Sequence, residues 1–90
     1  MKKLESYRKN GYTFEIVARK NGWAIGKGTH KEGFDHTNWE VFEIQSHNGI
    51  YMGENWVDAK EFPPSNNQWG AKGFTALNEE HAKEILEKHI

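Results

Sequence analysis

The stretch Asn10-Gly11-Tyr12-Thr13-Phe14-Glu15-Ile16-Val17-Ala18-Arg19-Lys20-Asn21-Gly22 is an alternating segment bracketed by two Asn-Gly pairs. Both central residues of a type I′ turn need positive φ, which Asn and Gly accept at the lowest steric cost, so each pair marks a hairpin. Between them, Tyr12, Phe14, Ile16 and Ala18 fall on one face of an extended chain, and Thr13, Glu15 and Arg19 on the other. That pattern predicts a half-buried strand. Residues 5–9 before it and 23–29 after it complete a three-stranded antiparallel meander.

Working outward, Gly26 and Gly28 interrupt the third strand, where the lack of a side chain points to a bulge, a bend or a close approach by other atoms. Residues 30–37 have no periodicity and read as an exposed loop. Residues 38–47 read as one long strand, with Trp39 and Val41 on one side and Phe42 and Ile44 on the other. Apolar residues on both sides mark a central strand covered on each face. A third Asn-Gly pair, Asn48-Gly49, predicts a hairpin that returns through residues 50–52.

Residues 53–73 lack periodicity yet hold Trp56, Val57, Phe62 and Trp69, so they read as an ordered loop pinned by its own rings, with a short strand near 56–59. The chain then closes on its clearest element. Residues 74–76 form a brief strand, Leu77 is placed as a hydrophobic staple, and Asn78 caps a helix with Glu79 and Glu80 in its first turn. Ala82, Ile85, Leu86 and His89 recur at helical spacing beside Ile90, and Glu79–Lys83 and Glu84–Lys88 are spaced as i,i+4 ion pairs. The expected fold is α+β: an antiparallel sheet of four to five strands, begun by the meander, with one C-terminal helix packed on a face. Residues 1–90 are read as a single domain.

Composition narrows the function classes. Apolar residues make up only 36% of the chain, but four Trp, five Phe and three Tyr supply large buried area for a thin core. No cysteine is present, which rules out disulfides and thiolate metal sites and fits a reducing compartment. Apolar runs reach only two or three residues, as at 23–25, so no membrane span is expected and the cytoplasm is the expected location.

No catalytic, metal or cofactor constellation emerges. His30, Asp35 and His36 share one loop without ligand spacing, Gly26-Lys27-Gly28 lacks the helix that a phosphate loop requires, and Ser6, Ser46 and Ser65 lack a nucleophile context. A non-enzymatic protein is expected. Net charge is −1, yet the basic residues concentrate in the first third of the chain. Lys9, Arg19, Lys20, Trp23 and Lys27 therefore form a candidate nucleic-acid set, in which cations flank aromatic platforms. Adjacent basic and acidic strands that neutralise one another are the plainer reading. Trp56, Phe62 and Trp69 form the candidate protein-interaction set, because Trp is a favoured interface anchor; that Trp56 and Trp69 instead plug the open end of the sheet as core rings is an equal reading.

The segment Phe62-Pro63-Pro64-Ser65-Asn66-Asn67-Gln68-Trp69-Gly70-Ala71-Lys72-Gly73-Phe74-Thr75, with Trp39-Glu40-Val41-Phe42-Glu43-Ile44 upstream, resembles small proteins encoded by tailed phages and prophages. Those carry a Pro-x-Ser-x-x-x-Trp-Gly-x-x-Gly-Phe-Thr stretch ahead of a closing helix, and the likeness extends in pattern over residues 12–88. The resemblance implies a small accessory protein that binds a host or phage protein stoichiometrically, as an inhibitor for example, in the host cytoplasm. It is compatible with a homodimer. Independently of any family, Gly70 and Gly73 around Trp69 fit a tight corner with the ring laid on the backbone.

Overall fold

A computed structural model describes residues 2–30, 32–33 and 36–90. Asn10 and Gly11 take φ of 51° and 82°, and Asn21 and Gly22 take 52° and 83°, so both pairs adopt the positive-φ geometry of a type I′ turn. They join β1 (Ser6–Lys9), β2 (Tyr12–Lys20) and β3 (Trp23–His30) into the expected meander. β4 (Asn38–Glu43) pairs with β3, and a later strand, β9 (Gly73–Ala76), pairs with β4. The result is a five-stranded antiparallel sheet in the order β1-β2-β3-β4-β9. The C-terminal helix α1 (Glu79–His89) packs on one of its faces.

On the helix side, Trp23, Ile25, Val41 and Ala76 of the sheet are buried against Ala82 and Leu86 of α1. On the opposite side Leu4, Ala24 and Phe42 are buried, with Tyr7, Ile16, Ile44 and Trp69 packed around them. The central strands are thus apolar on both faces, as the pattern of β4 predicts. Gly26 and Gly28 are sites of close approach. A Cβ on Gly28 would lie 2.5 Å from the Phe14 ring, and one on Gly26 would lie 2.8 Å from the Tyr7 hydroxyl. Phe14 and Tyr7 in turn stack at 4.9 Å.

Four expectations are corrected. The alternation in β2 is broken by a bulge: Ile16 opposes Gly26 while Ala18 opposes Ile25, leaving Val17 unpaired. Ala18 therefore joins the helix-side core, and Arg19 turns to the face of Ile16. The long strand of residues 38–47 stops at Glu43, and its continuation β5 (Gln45–His47) leaves the main sheet to pair with β8 (Lys60–Phe62). Asn48-Gly49 closes no hairpin; β6 (Ile50–Met52) pairs instead with β7 (Asn55–Val57) across Gly53-Glu54. Leu77 is no staple, being 84% exposed.

The long aromatic region is therefore regular. β5–β8 and β6–β7 continue one register, so residues 45–62 form a single antiparallel hairpin interrupted at Asn48-Gly49 and Asp58-Ala59. A short 3-10 turn at Asn66–Gln68 then leads into the Trp69–Gly73 corner. There the Trp69 ring lies on Gly73, where a Cβ would sit 2.3 Å from two ring carbons. Helix α1 begins as expected, with Asn78 Oδ1 accepting from the His81 N–H at 2.8 Å. Its Glu79–Lys83 pair forms at 3.2 Å.

Candidate protein-docking site

The 45–62 hairpin is tied down at its base and free at its tip. Glu61, on β8, accepts two hydrogen bonds from the Arg19 guanidinium at 2.8 Å each and a third, at 2.8 Å, from the Leu4 N–H. The Lys2 N–H donates to the Ala59 carbonyl at 3.1 Å, and the Glu61 N–H donates to the Lys2 carbonyl at 2.9 Å. The N-terminal segment thus meets β8 in a single parallel bridge, Lys2 opposite Lys60. Such a clamp fixes the direction in which the tip projects.

The tip turns at Gly53-Glu54, where Gly53 takes φ of 65° and Glu54 stays at negative φ, the pattern of a type II′ turn. Beyond the clamp its side chains are apolar on both faces. Tyr51 and Trp56 face each other across the ladder at 5.0 Å, with Trp56 Nε1 donating to Asp58 Oδ1 at 2.9 Å. The Trp56 ring also covers Gly49, where a Cβ would lie 2.4 Å from it. Ile50, Met52 and Val57 line the other face and border a hollow of about 340 Å³ with His47, Lys60 and Phe62. Exposure is high throughout: Tyr51 69%, Met52 62%, Trp56 54% and Ile50 45%. Four large apolar side chains on one two-stranded tip are more than scattered surface residues, and an isolated hairpin gains little stability from leaving them in water.

The residues that sequence singled out for protein contact separate here. Trp56 lies on the tip, and Phe62 borders the hollow beneath it, its ring 5.7 Å from His47. Trp69 lies elsewhere, packed on Gly73 with Nε1 donating to Thr75 Oγ1 at 3.1 Å. Ile50, Tyr51 and Met52 were missed, although Gly53-Glu54 between Ile50-Tyr51-Met52 and Asn55-Trp56-Val57 is a type II′ hairpin signal.

The nucleic-acid candidates do not converge. Trp23 is buried against α1, stacked 4.6 Å from His89. Lys20 and Lys27 lie on the helix side of the sheet, and Arg19 and Lys9 on the other, each engaged with a carboxylate. Lys9 belongs to a closed polar cluster. The buried Glu40 carboxylate accepts from the Tyr7 hydroxyl at 2.7 Å and from Lys9 Nζ at 3.1 Å. The Lys9 ammonium also sits 3.6 Å from the Trp69 ring centroid. Burial and the adjacent Glu40 charge push the Tyr7 hydroxyl far above its ordinary pKa, so it serves there as a proton donor in a hydrogen bond.

The histidine loop is only partly described, since Asp35 lies outside the described residues. The His30 ring packs edge-on to Tyr12 at 4.9 Å and its Nδ1 accepts from the Glu32 N–H. Among the described residues no three His, Asp or Glu side chains gather as metal ligands, and no helix is long and apolar enough to cross a membrane. Comparison with known protein families, with curated proteins and with solved structures finds no match to this chain.

Proposed function

We propose that this chain is a stoichiometric protein-binding module that docks through the tip of the 45–62 hairpin. The observation that carries the reading is the joint exposure of Ile50, Tyr51, Met52 and Trp56 on a tip whose base is clamped by Arg19 and Glu61. A fixed base lowers the conformational entropy lost when the tip is buried, and Tyr and Trp supply large contact area at a cost of two torsions each. The sequence resemblance to small tailed-phage proteins supports a host or phage protein as the partner, met in the host cytoplasm, with no reaction catalysed.

Affinity capture with the intact chain tests this, run beside Tyr51→Ser and Trp56→Ser variants whose circular dichroism matches the wild type. A partner held by the wild type and lost by both variants is the expected result. Capture that is indifferent to both substitutions places the contact surface elsewhere and removes the proposal.

A further inference from the structure

A second surface, on the far side of the sheet from the hairpin clamp, lies where β9 ends the sheet beside α1. Glu43 and Lys72 are directly opposite and hydrogen-bonded, the Glu43 N–H donating to the Lys72 carbonyl at 2.8 Å. Hydrogen-bonded pairs alternate along an antiparallel ladder, so Phe74 and Ala76 bond to β4 while Gly73 and Thr75 turn their backbone groups outward. The Gly73 carbonyl is taken by the Gly70 N–H at 2.7 Å. Thr75 keeps its N–H and C=O on an edge that, among the described residues, no strand pairs with.

Between this edge and α1 runs a groove of about 480 Å³. Phe74 and Ile85 give it an apolar floor, and its polar rim is formed by Trp69, Thr75, His81, Lys88 and His89, of which Lys88 is a fixed cation. The Leu77 N–H donates to His81 Nδ1 at 2.9 Å, so the neutral ring carries its proton on Nε2 and can donate there. Lys88, seven residues on, adds an ammonium to the same helical stripe two turns further along. Among the described residues no carboxylate lines this groove, and Glu80, Glu84 and Glu87 of the same helix are exposed without bordering it.

We infer that the groove between β9 and α1 binds an extended acidic peptide, which adds to the open β9 edge at Thr75 and places its carboxylates against His81 and Lys88. An open strand edge supplies main-chain hydrogen bonds, and a rim that holds the Lys88 ammonium and, among the described residues, no carboxylate favours acidic side chains. The site is separate from the hairpin tip and does not depend on it.

The test uses the intact chain and a fluorescein-labelled peptide of alternating Glu and Val, about ten residues long, followed by anisotropy and by amide chemical shifts. Saturable binding is expected, with shifts centred on Thr75, His81 and Lys88. Lys88→Glu, an exposed substitution, is expected to weaken it by about tenfold or more. The same peptide with alternate amides N-methylated, and one of alternating Lys and Val, are expected not to bind. Absence of saturation by about 1 mM peptide, equal binding of the Lys peptide, or shifts centred on the hairpin tip would each overturn the inference.

Discussion

Arg19 and Glu61, 42 residues apart in sequence, meet as a two-pronged fork with both N···O distances at 2.8 Å. The contact joins β2 of the main sheet to the returning arm of the hairpin, and the Leu4 N–H completes it. The guanidinium, helped by that N–H, holds the Glu61 carboxyl down to about 2, from an ordinary 4.5. Its folded-state pKa lies below the unfolded one. The stability it contributes is therefore complete above about pH 4.5 and is lost as pH falls toward 2. Glu61→Gln is expected to lower stability near neutral pH by ~1 kcal/mol or less, because the fork is partly exposed. Urea midpoints across pH should show the gap between wild type and variant closing on the acid side. A gap that persists undiminished at the acid end would take Glu61 out of the acid transition.

The Trp69–Gly73 corner should tolerate no added methyl group. A Cβ at Gly73 would lie 2.3 Å from the Trp69 ring, so Gly73→Ala is expected to cost roughly 1–3 kcal/mol. Trp69→Ala in the same chain removes the clash. Chemical denaturation of both single variants and the double variant should therefore show strong non-additivity.

Two tryptophans should separate cleanly by stability. Trp23 is buried between the sheet and α1, and Trp23→Ala is expected to cost roughly 3–5 kcal/mol. Trp56 is 54% exposed on the tip, and Trp56→Ala is expected to cost less than about 1 kcal/mol. Equal losses in denaturant melts would mean that the tip is structural and would weaken its assignment as a docking surface.

Lys9 balances a buried charge. Lys9→Met leaves the Glu40 carboxylate with only the Tyr7 hydroxyl, at an expected cost of roughly 1–3 kcal/mol. Adding Glu40→Gln to that variant removes the uncompensated charge and should recover part of the loss. A double variant weaker than the sum of the two single changes would contradict this account.

The start of α1 offers a paired comparison. Asn78→Ala removes an oxygen that accepts from the His81 N–H, at an expected cost of about 1 kcal/mol. Leu77→Ser, one position earlier, alters a side chain that is 84% exposed and should stay within about 0.5 kcal/mol of wild type in thermal melts.

Elements whose information is local were legible in the chain. Asn10-Gly11 and Asn21-Gly22 encode their turns through backbone preference alone, and Asn78 with Ala82 and Leu86 encodes a capped helix with a buried stripe. The two-faced burial of β4 was equally readable, because Trp39 and Val41 oppose Phe42 and Ile44 whatever covers them. Asn48-Gly49 carried the same local signal and misled, because β5 draws its partner from residues 60–62 and leaves that pair in the middle of an arm.

By itself, then, the sequence determined the meander, the closing helix and the absence of thiol chemistry, all of which follow from the residues and their near neighbours. Tertiary structure alone decided where the surfaces fall. The bulge at Val17 moved Arg19 to the face where Glu61 waits, and the clamp made there left Trp56 in water while Trp69 was folded onto Gly73. Two tryptophans in one unpatterned stretch carry the same local preferences. Their exposure differs because burial depends on which distant backbone each ring meets, and no window of neighbouring residues contains that information.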